Sequence, residues 1–597
     1  MGEKLKTRAE ISSSDKWAVG KIYQNVQNWE TDFAKLQKDS DKLSAYSGKL
    51  NQADSLLACF QLIETVNRLA EKLDVYANQR ADEDTANTEF IALKSKIGTY
   101  VSELMAKEAF VEPEILSYPD GTIEKELKAE PKLEMYRFAL KNILRQKPHT
   151  LDQKSEQILA AVSDCLDGPH QTYTLMTNAD MTFPQIHDEN GSLVELTDSN
   201  YHHFQMSKDR NVRREAMEGL FSTYGKYKNT FASLLTTSVK NFVFQSKQRH
   251  YDSSLECSLA PNNIPTSVYH TALKTIDAHL DSMHRYVGLK KKLLKLNDMH
   301  MYDLYVPVID LPEEHYDFDR AVEVVKEGLA PLGKEYIDIF SKGIESGWID
   351  RYPSRGKRSG GYSTGCYDTQ PYILLNYNGD YDSVSTLAHE MGHSIHTYYS
   401  TKNQPYVYSQ YSLFCAETAS TTNESLLIHH LINKETDRDR KLHLINSQLE
   451  QIRTTVFRQL LFAEFELFTH EKTEAGVQLT AKDLCGFWHD VNQKYYGPEM
   501  TVDAVNDMEW ARIPHFYRDF YVYQYATGYA AANSFSRMIL DGGSAAVEKY
   551  KGFLKSGCSD YPINVLRKAG VDMETAKPME DLVRTFDELL DMLEKAL

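Results

Sequence analysis

Apolar residues recur along this chain with the period of an α-helix. Ile22, Val26, Trp29, Phe33 and Leu36 step by four and three, as do Leu62, Val66, Leu69, Leu73 and Tyr76, which gives each segment one continuous apolar stripe. The same spacing predicts further helices over about 97–110, 152–166, 208–246, 265–297, 318–344, 440–472 and 518–540. Glycine (29) and proline (18) are sparse for 597 residues, as long helices with short connections require. Strand signals are few. Met181–Ile186 and Ser192–Thr197 flank Glu189-Asn190-Gly191, a hairpin turn sequence, and Tyr372–Asn376 follows a glycine-rich loop from Gly356 to Gly365. The pattern predicts a mainly α protein with a small β element. It divides coarsely into a helical region over 1–115, a smaller region over 116–200 that contains the hairpin, and a long helical body over 201–597.

One predicted helix carries chemistry. Asp380-Tyr381-Asp382-Ser383 offers N-cap side chains to the stretch Val384–His396, which ends in His389-Glu390-Met391-Gly392-His393-Ser394-Ile395-His396. On a helix His389 and His393 lie one turn apart and present two imidazoles to one zinc ion, with Glu390 beside them to take a proton from a water on the metal. HExxH arises by accident in on the order of one chain in twenty of this composition, so its surroundings matter. His396 stands seven residues from His389, two turns away, and is read as lying behind the ligands or facing substrate. The metzincin pattern needs a histidine ten residues after the first; that position is Tyr399, which excludes the class. A third ligand then comes from a following helix. Glu417, 28 residues past His389, allows one helix, a loop over Thr401 to Tyr408 and a return, with Glu424 on the same face as a fallback ligand or a partner behind the site. Gly392 suits a helix that another element approaches closely.

Composition narrows the partners. Net charge is −18 with no long Lys/Arg block, which argues against nucleic acid, whose backbone is bound by clustered cations. The seven cysteines are scattered singly without a C-x-x-C pair, as in a reducing compartment. The start, MGEKLKTRAEISSSDKW, lacks the apolar core of a signal peptide, Lys6 stands where a myristoylation signal has Ser or Thr, and no run approaches 18 apolar residues. The chain reads as a soluble cytoplasmic protein with no membrane partner; its oligomeric state is not legible.

At these residues the chain resembles oligoendopeptidase F, a branch of the thimet oligopeptidase family of zinc peptidases. HEMGHSIH has the family's HExGHxxH form, and Gly356–Tyr362, Leu374–Asn376, Ala416–Ser420, His515–Gly528 and Phe553–Gly557 resemble its other blocks in order. The region near 115–200 looks like the branch's N-terminal domain. The resemblance implies a two-lobed helical body, with a deep channel between the lobes and one zinc ion at its floor, that cleaves internal bonds of short peptides. It makes His389, His393 and Glu417 the ligands and Glu390 the base. Donors for the oxyanion are sought after Pro514, where His515, Tyr521 and Tyr525 are the candidates; the two tyrosines are i, i+4 on a predicted helix. The glycine-rich loop suggests that Gly360, Gly361 and Tyr362, with Arg358 as a further contact, let an extended peptide pair with a strand edge. Ser363 departs from the branch, which often has Cys there. Two alternatives remain at this stage: a helical zinc carboxypeptidase, and a non-catalytic peptide-binding protein that retains zinc.

Overall fold

A computed structural model describes residues 5–309 and 314–596; the first four residues of the segment read above as lacking a leader lie outside them. The chain forms two compact units, each built from three separate stretches. One comprises Met1–Pro148, Glu313–His430 and Phe535–Gly570; the other comprises His149–Pro312, Leu431–Ser534 and Val571–Leu597. Helix dominates, as the period predicts, and the sheets are small.

In the first unit the predicted stripes become helices Val26–Ser40 and Ala53–Glu83, joined by Thr88–Glu108. Asn25 caps the first, its side chain accepting the Asn28 amide. Ile22 therefore precedes the helix while Trp29, Phe33 and Leu36 enter its core. Trp29 stacks on Phe33 at 5.2 Å and donates its indole N–H to the Leu73 carbonyl at 3.0 Å. This core includes Tyr372 and Leu374. They belong to a three-stranded sheet in which Tyr372–Leu374 lies between Ile349–Asp350, parallel, and Tyr362–Thr364, antiparallel, so the last is an edge strand. A buried ion pair anchors the loop ahead of that edge: Lys357 Nζ meets Asp350 Oδ1 at 2.7 Å and donates to the Tyr352 carbonyl at 2.8 Å. Arg8 reaches the same carboxylate at 2.5 Å.

The second unit holds the predicted hairpin as strands Gln185–His187 and Leu193–Glu195, with Ile186 opposite Val194. Asp188 accepts the Asn190 and Ser192 amides across the turn, and Gly191 takes φ +76°. Several long predicted helices are interrupted. The stretch 208–246 becomes Arg210–Lys226 and Lys228–Gln248, broken at Tyr227, and 440–472 becomes Arg438–Ile452 and Arg458–Glu474 joined by a π turn at Arg453–Phe457. In the first unit 318–344 divides at Pro331 and Gly333, where proline removes an amide and glycine takes φ +85°. None of the described helices is long and apolar enough to cross a membrane.

Asp350→Ala leaves Lys357 without its carboxylate at a buried position, while Arg8 keeps only Glu83, at 3.0 Å. We expect a loss of about 3–5 kcal/mol in chemical denaturation; unchanged stability would show that the pair does not anchor the loop.

Candidate metal centre

The Tyr381–Asn403 helix begins where Asp380 caps it, accepting the Ser383 amide at 2.8 Å and the Ser383 hydroxyl at 2.6 Å. His389 and His393 follow on one face, their ring planes 81° apart and their Nε2 atoms 3.2 Å from each other. The Leu413–Lys434 helix passes at Gly392. A β-carbon there would stand 2.7 Å from Ser420 Cα and 2.9 Å from the Ala419 carbonyl oxygen, so the approach requires glycine. Asn423 fastens the crossing, donating to the Ala388 carbonyl at 3.0 Å and accepting from the Tyr336 hydroxyl at 2.8 Å.

That contact brings Glu417 Oε2 to 3.4 Å from His389 Nε2 and 3.5 Å from His393 Nε2. Among the described residues this is the one cluster of three such side chains whose ligand atoms converge, all within 4.8 Å. Ligands about 2.0–2.1 Å from a tetrahedral ion stand roughly 3.3–3.4 Å apart, and the three separations here match that edge length. The donor set fits a metal. Ser420 donates to Glu417 Oε2 at 3.0 Å, and Glu424 Oε1 lies 3.3 Å from His389 Nδ1, the ring nitrogen facing away from the cluster. A carboxylate on that nitrogen fixes the tautomer that leaves Nε2 as a ligand.

The electrostatics favour a cation. Burial opposes charge on His389, but the hydrogen bond and charge of Glu424, with Glu390 and Glu417 adding, push its pKa to about 9. Burial likewise opposes charge on Glu417, yet the hydrogen bond from His393 and the charges of both imidazoles hold it down to about 2. Glu390, on the same helix between the histidines, is buried; that burial raises its carboxyl above the usual range although both imidazoles pull the other way.

The remaining candidates lie as follows. His396 is buried, stacked on Tyr411 at 3.7 Å and against Phe553 at 5.1 Å. Tyr411, which the motifs did not single out, also hydrogen-bonds Thr397 at 2.9 Å. Gly360 takes φ +83° in the loop before the edge strand, with its carbonyl held by Asn376 at 2.7 Å, and Gly361 runs against Thr386 of the motif helix. Tyr362 donates to Asp82 at 2.8 Å, and Arg358 pairs with the same carboxylate at 3.1 Å. Ser363 and Ser394 share a hydrogen bond of 2.8 Å, linking the strand to the motif helix. His515, Tyr521 and Tyr525 belong to the second unit and gather there: Tyr525 Oη is 3.5 Å from His515 Nε2, and the tyrosine rings are 5.5 Å apart. Burial, helped by Arg518, lowers the His515 pKa. One expectation is corrected. The helix starts at Tyr523, so Tyr521 is not on it but in the preceding turn, where Phe520 adopts φ +56°.

With this geometry in place, similarity to known proteins is decisive. The model of peptidase family M3 matches residues 203–585, and that of the oligopeptidase F N-terminal domain matches residues 114–183. Oligopeptidase PepF of Bacillus subtilis is 41% identical over 99% of this chain and 89% of its own length. A structure of oligoendopeptidase-F from Enterococcus faecium superposes with a TM-score of 0.74 at 36% identity, covering 96% of this chain and 99% of its own. A structure named as a peptidase from Chlamydophila abortus reaches 0.95 at 36% identity, with both chains fully covered. The chain belongs to peptidase family M3, in its oligoendopeptidase F branch, and is a metalloendopeptidase.

Gly392→Val places a branched side chain where Ser420 and Ala419 already stand. Overpacking of this kind costs about 1–3 kcal/mol and moves Glu417 away from the histidines. Thermal melting and metal titration should both show the loss; metal affinity equal to wild type would mean the crossing does not set the centre.

Proposed function

We propose that this protein hydrolyses internal bonds of short peptides using one zinc ion per chain, held by His389, His393 and Glu417, with Glu390 as general base. The observation that carries the reading is the convergence of two imidazole nitrogens and one carboxylate oxygen at tetrahedral edge lengths. Two histidines and a glutamate make a three-ligand set that leaves a fourth position open, as in catalytic rather than structural zinc sites. A zinc ion bound there supplies Lewis acidity toward a scissile carbonyl and toward water near neutral pH.

The chain's own groups do the rest. Glu390, buried beside the ligands, accepts the proton of the attacking water at its carboxylate and returns it to the departing amine. Glu424 keeps His389 oriented through Nδ1. His515, Tyr521 and Tyr525 are assigned as donors to the charge that develops on the carbonyl oxygen, a reading supported by the likeness of residues 515–528 to the branch and by their clustering. The edge strand Tyr362–Thr364 and the Gly360-Gly361 turn are assigned to the substrate backbone, His396 to support behind the ligands through Tyr411. Backbone pairing admits many sequences but needs an extended chain, which short peptides offer and folded domains do not. Cytoplasmic peptide turnover is the setting this implies.

Glu390→Gln should keep zinc content and melting behaviour while lowering kcat by about 10²–10⁴; retained activity would remove the mechanism. Internally quenched short peptides should be cut at internal bonds, mapped by mass spectrometry, while folded proteins survive. Equal digestion of both would refute the substrate class.

A further inference from the structure

Four non-glycine residues have positive φ among those described: His250, Asn263, Lys295 and Phe520. The first three are exposed, whereas Phe520 is buried at 1% exposure. A bulky ring in the left-handed region is costly and persists only when its surroundings enforce it. Here the enforcement is explicit. The Phe520 amide donates to Glu466 Oε1 at 2.7 Å, its ring lies 4.4 Å from His470 and 5.6 Å from Tyr269, and the Asp519 carbonyl accepts from the Ser258 hydroxyl at 2.8 Å.

Glu466 projects from the Arg458–Glu474 helix and is 2% exposed. Among the described residues the Phe520 amide is the one hydrogen-bond partner of its carboxyl. A buried acid with no cation beside it costs stability that an apolar residue would not, so its presence calls for a specific contact. The residue after Phe520 is Tyr521, whose ring stacks 6.2 Å from His515 and meets Tyr525 edge-on.

We propose that Glu466 is a positioning residue: by accepting the Phe520 amide it holds the Arg518–Val522 turn in the left-handed conformation that sets Tyr521 against His515 and Tyr525. The inference rests on the reading of those three as donors to the reacting carbonyl. Burial, with the nearby Asp519 charge, raises the Glu466 pKa well above its usual value, although the hydrogen bond from the Phe520 amide pulls the other way. Glutamine copies that acid in shape and in its acceptor oxygen. Leucine copies its volume but leaves the amide buried and unpaired.

The experiment compares Glu466→Gln and Glu466→Leu in the zinc-loaded full chain by hydrogen exchange and kinetics. In Glu466→Leu the peptide spanning residues 514–522 should exchange about tenfold faster or more while the flanking helices keep their protection. Its kcat should fall about tenfold or more with KM little changed, and Glu466→Gln should stay within about twofold of wild type on both measures. Unaltered exchange in Glu466→Leu, or equal damage in both variants, would overturn the proposal. Tyr521→Phe, Tyr525→Phe and His515→Ala are measured alongside. If all three keep full kcat, the donor reading fails, while the exchange data still decide whether Glu466 holds the turn.

Discussion

Two helix backbones pass at residue 392 without room for a β-carbon, and the metal centre follows from that crossing. Gly392 lets the Leu413–Lys434 helix settle against the motif helix, with Ser420 Cα where a side chain would otherwise stand. Helix axes normally pack 8–10 Å apart with side chains between them. At the closer approach Glu417 can meet both Nε2 atoms, and two turns later Glu424 can reach the far nitrogen of His389. One small residue thereby fixes the positions of Glu417, the proposed ligand, and of Glu424 behind His389, both from the same neighbouring helix. Asn423, tied to Ala388 and Tyr336, gives the crossing a hydrogen-bonded lock that packing alone would lack.

Charge arrangement completes that geometry. Three carboxylates, Glu390, Glu417 and Glu424, surround two imidazoles: against burial, the carboxylates push His389 to about 9 and the imidazoles hold Glu417 down to about 2. Such a set holds a positive charge more readily than none. Glu390 is the odd member: it hydrogen-bonds none of the ligands among the described contacts, and burial pushes its pKa upward. A carboxyl so placed is poor as a permanent ion-pair partner, in keeping with the proton-carrying role proposed for it.

Local signals in the sequence carry through to the structure, and long-range ones do not. The 3.6-residue stripes become helices because burial of one face decides them, and the His389–His393 spacing is a property of a single helix. Glu417 and Glu424 were legible because both follow on the next helix. The turn before Tyr523 was not. Periodicity ran helix back to residue 518, but Phe520 is held left-handed by Glu466, 54 residues earlier in the chain. Tyr362 likewise shows nothing in its own segment of the hydrogen bond to Asp82, 280 positions away. The breaks at Tyr227 and at the Arg453 π turn interrupt otherwise continuous apolar stripes, since a stripe reports the buried face and not the backbone bonding along it.

The two groups of side chains assigned to catalysis are held in contrasting ways. The proposed ligands sit within regular helices, where each position is set by backbone hydrogen bonds and by one close crossing, and no residue from 389 to 393 departs from helical geometry. Tyr521 instead follows a residue in a costly conformation, so its placement depends on contacts from other elements: an accepted amide, a carbonyl fixed by Ser258 and a ring packed against His470 and Tyr269. A metal ligand benefits from invariance, because a shift of a few tenths of an ångström changes coordination. A donor to a transient oxyanion must match a charge that exists only during turnover, and a turn whose strain is opposed by a few specific contacts can be tuned by those contacts without disturbing any helix.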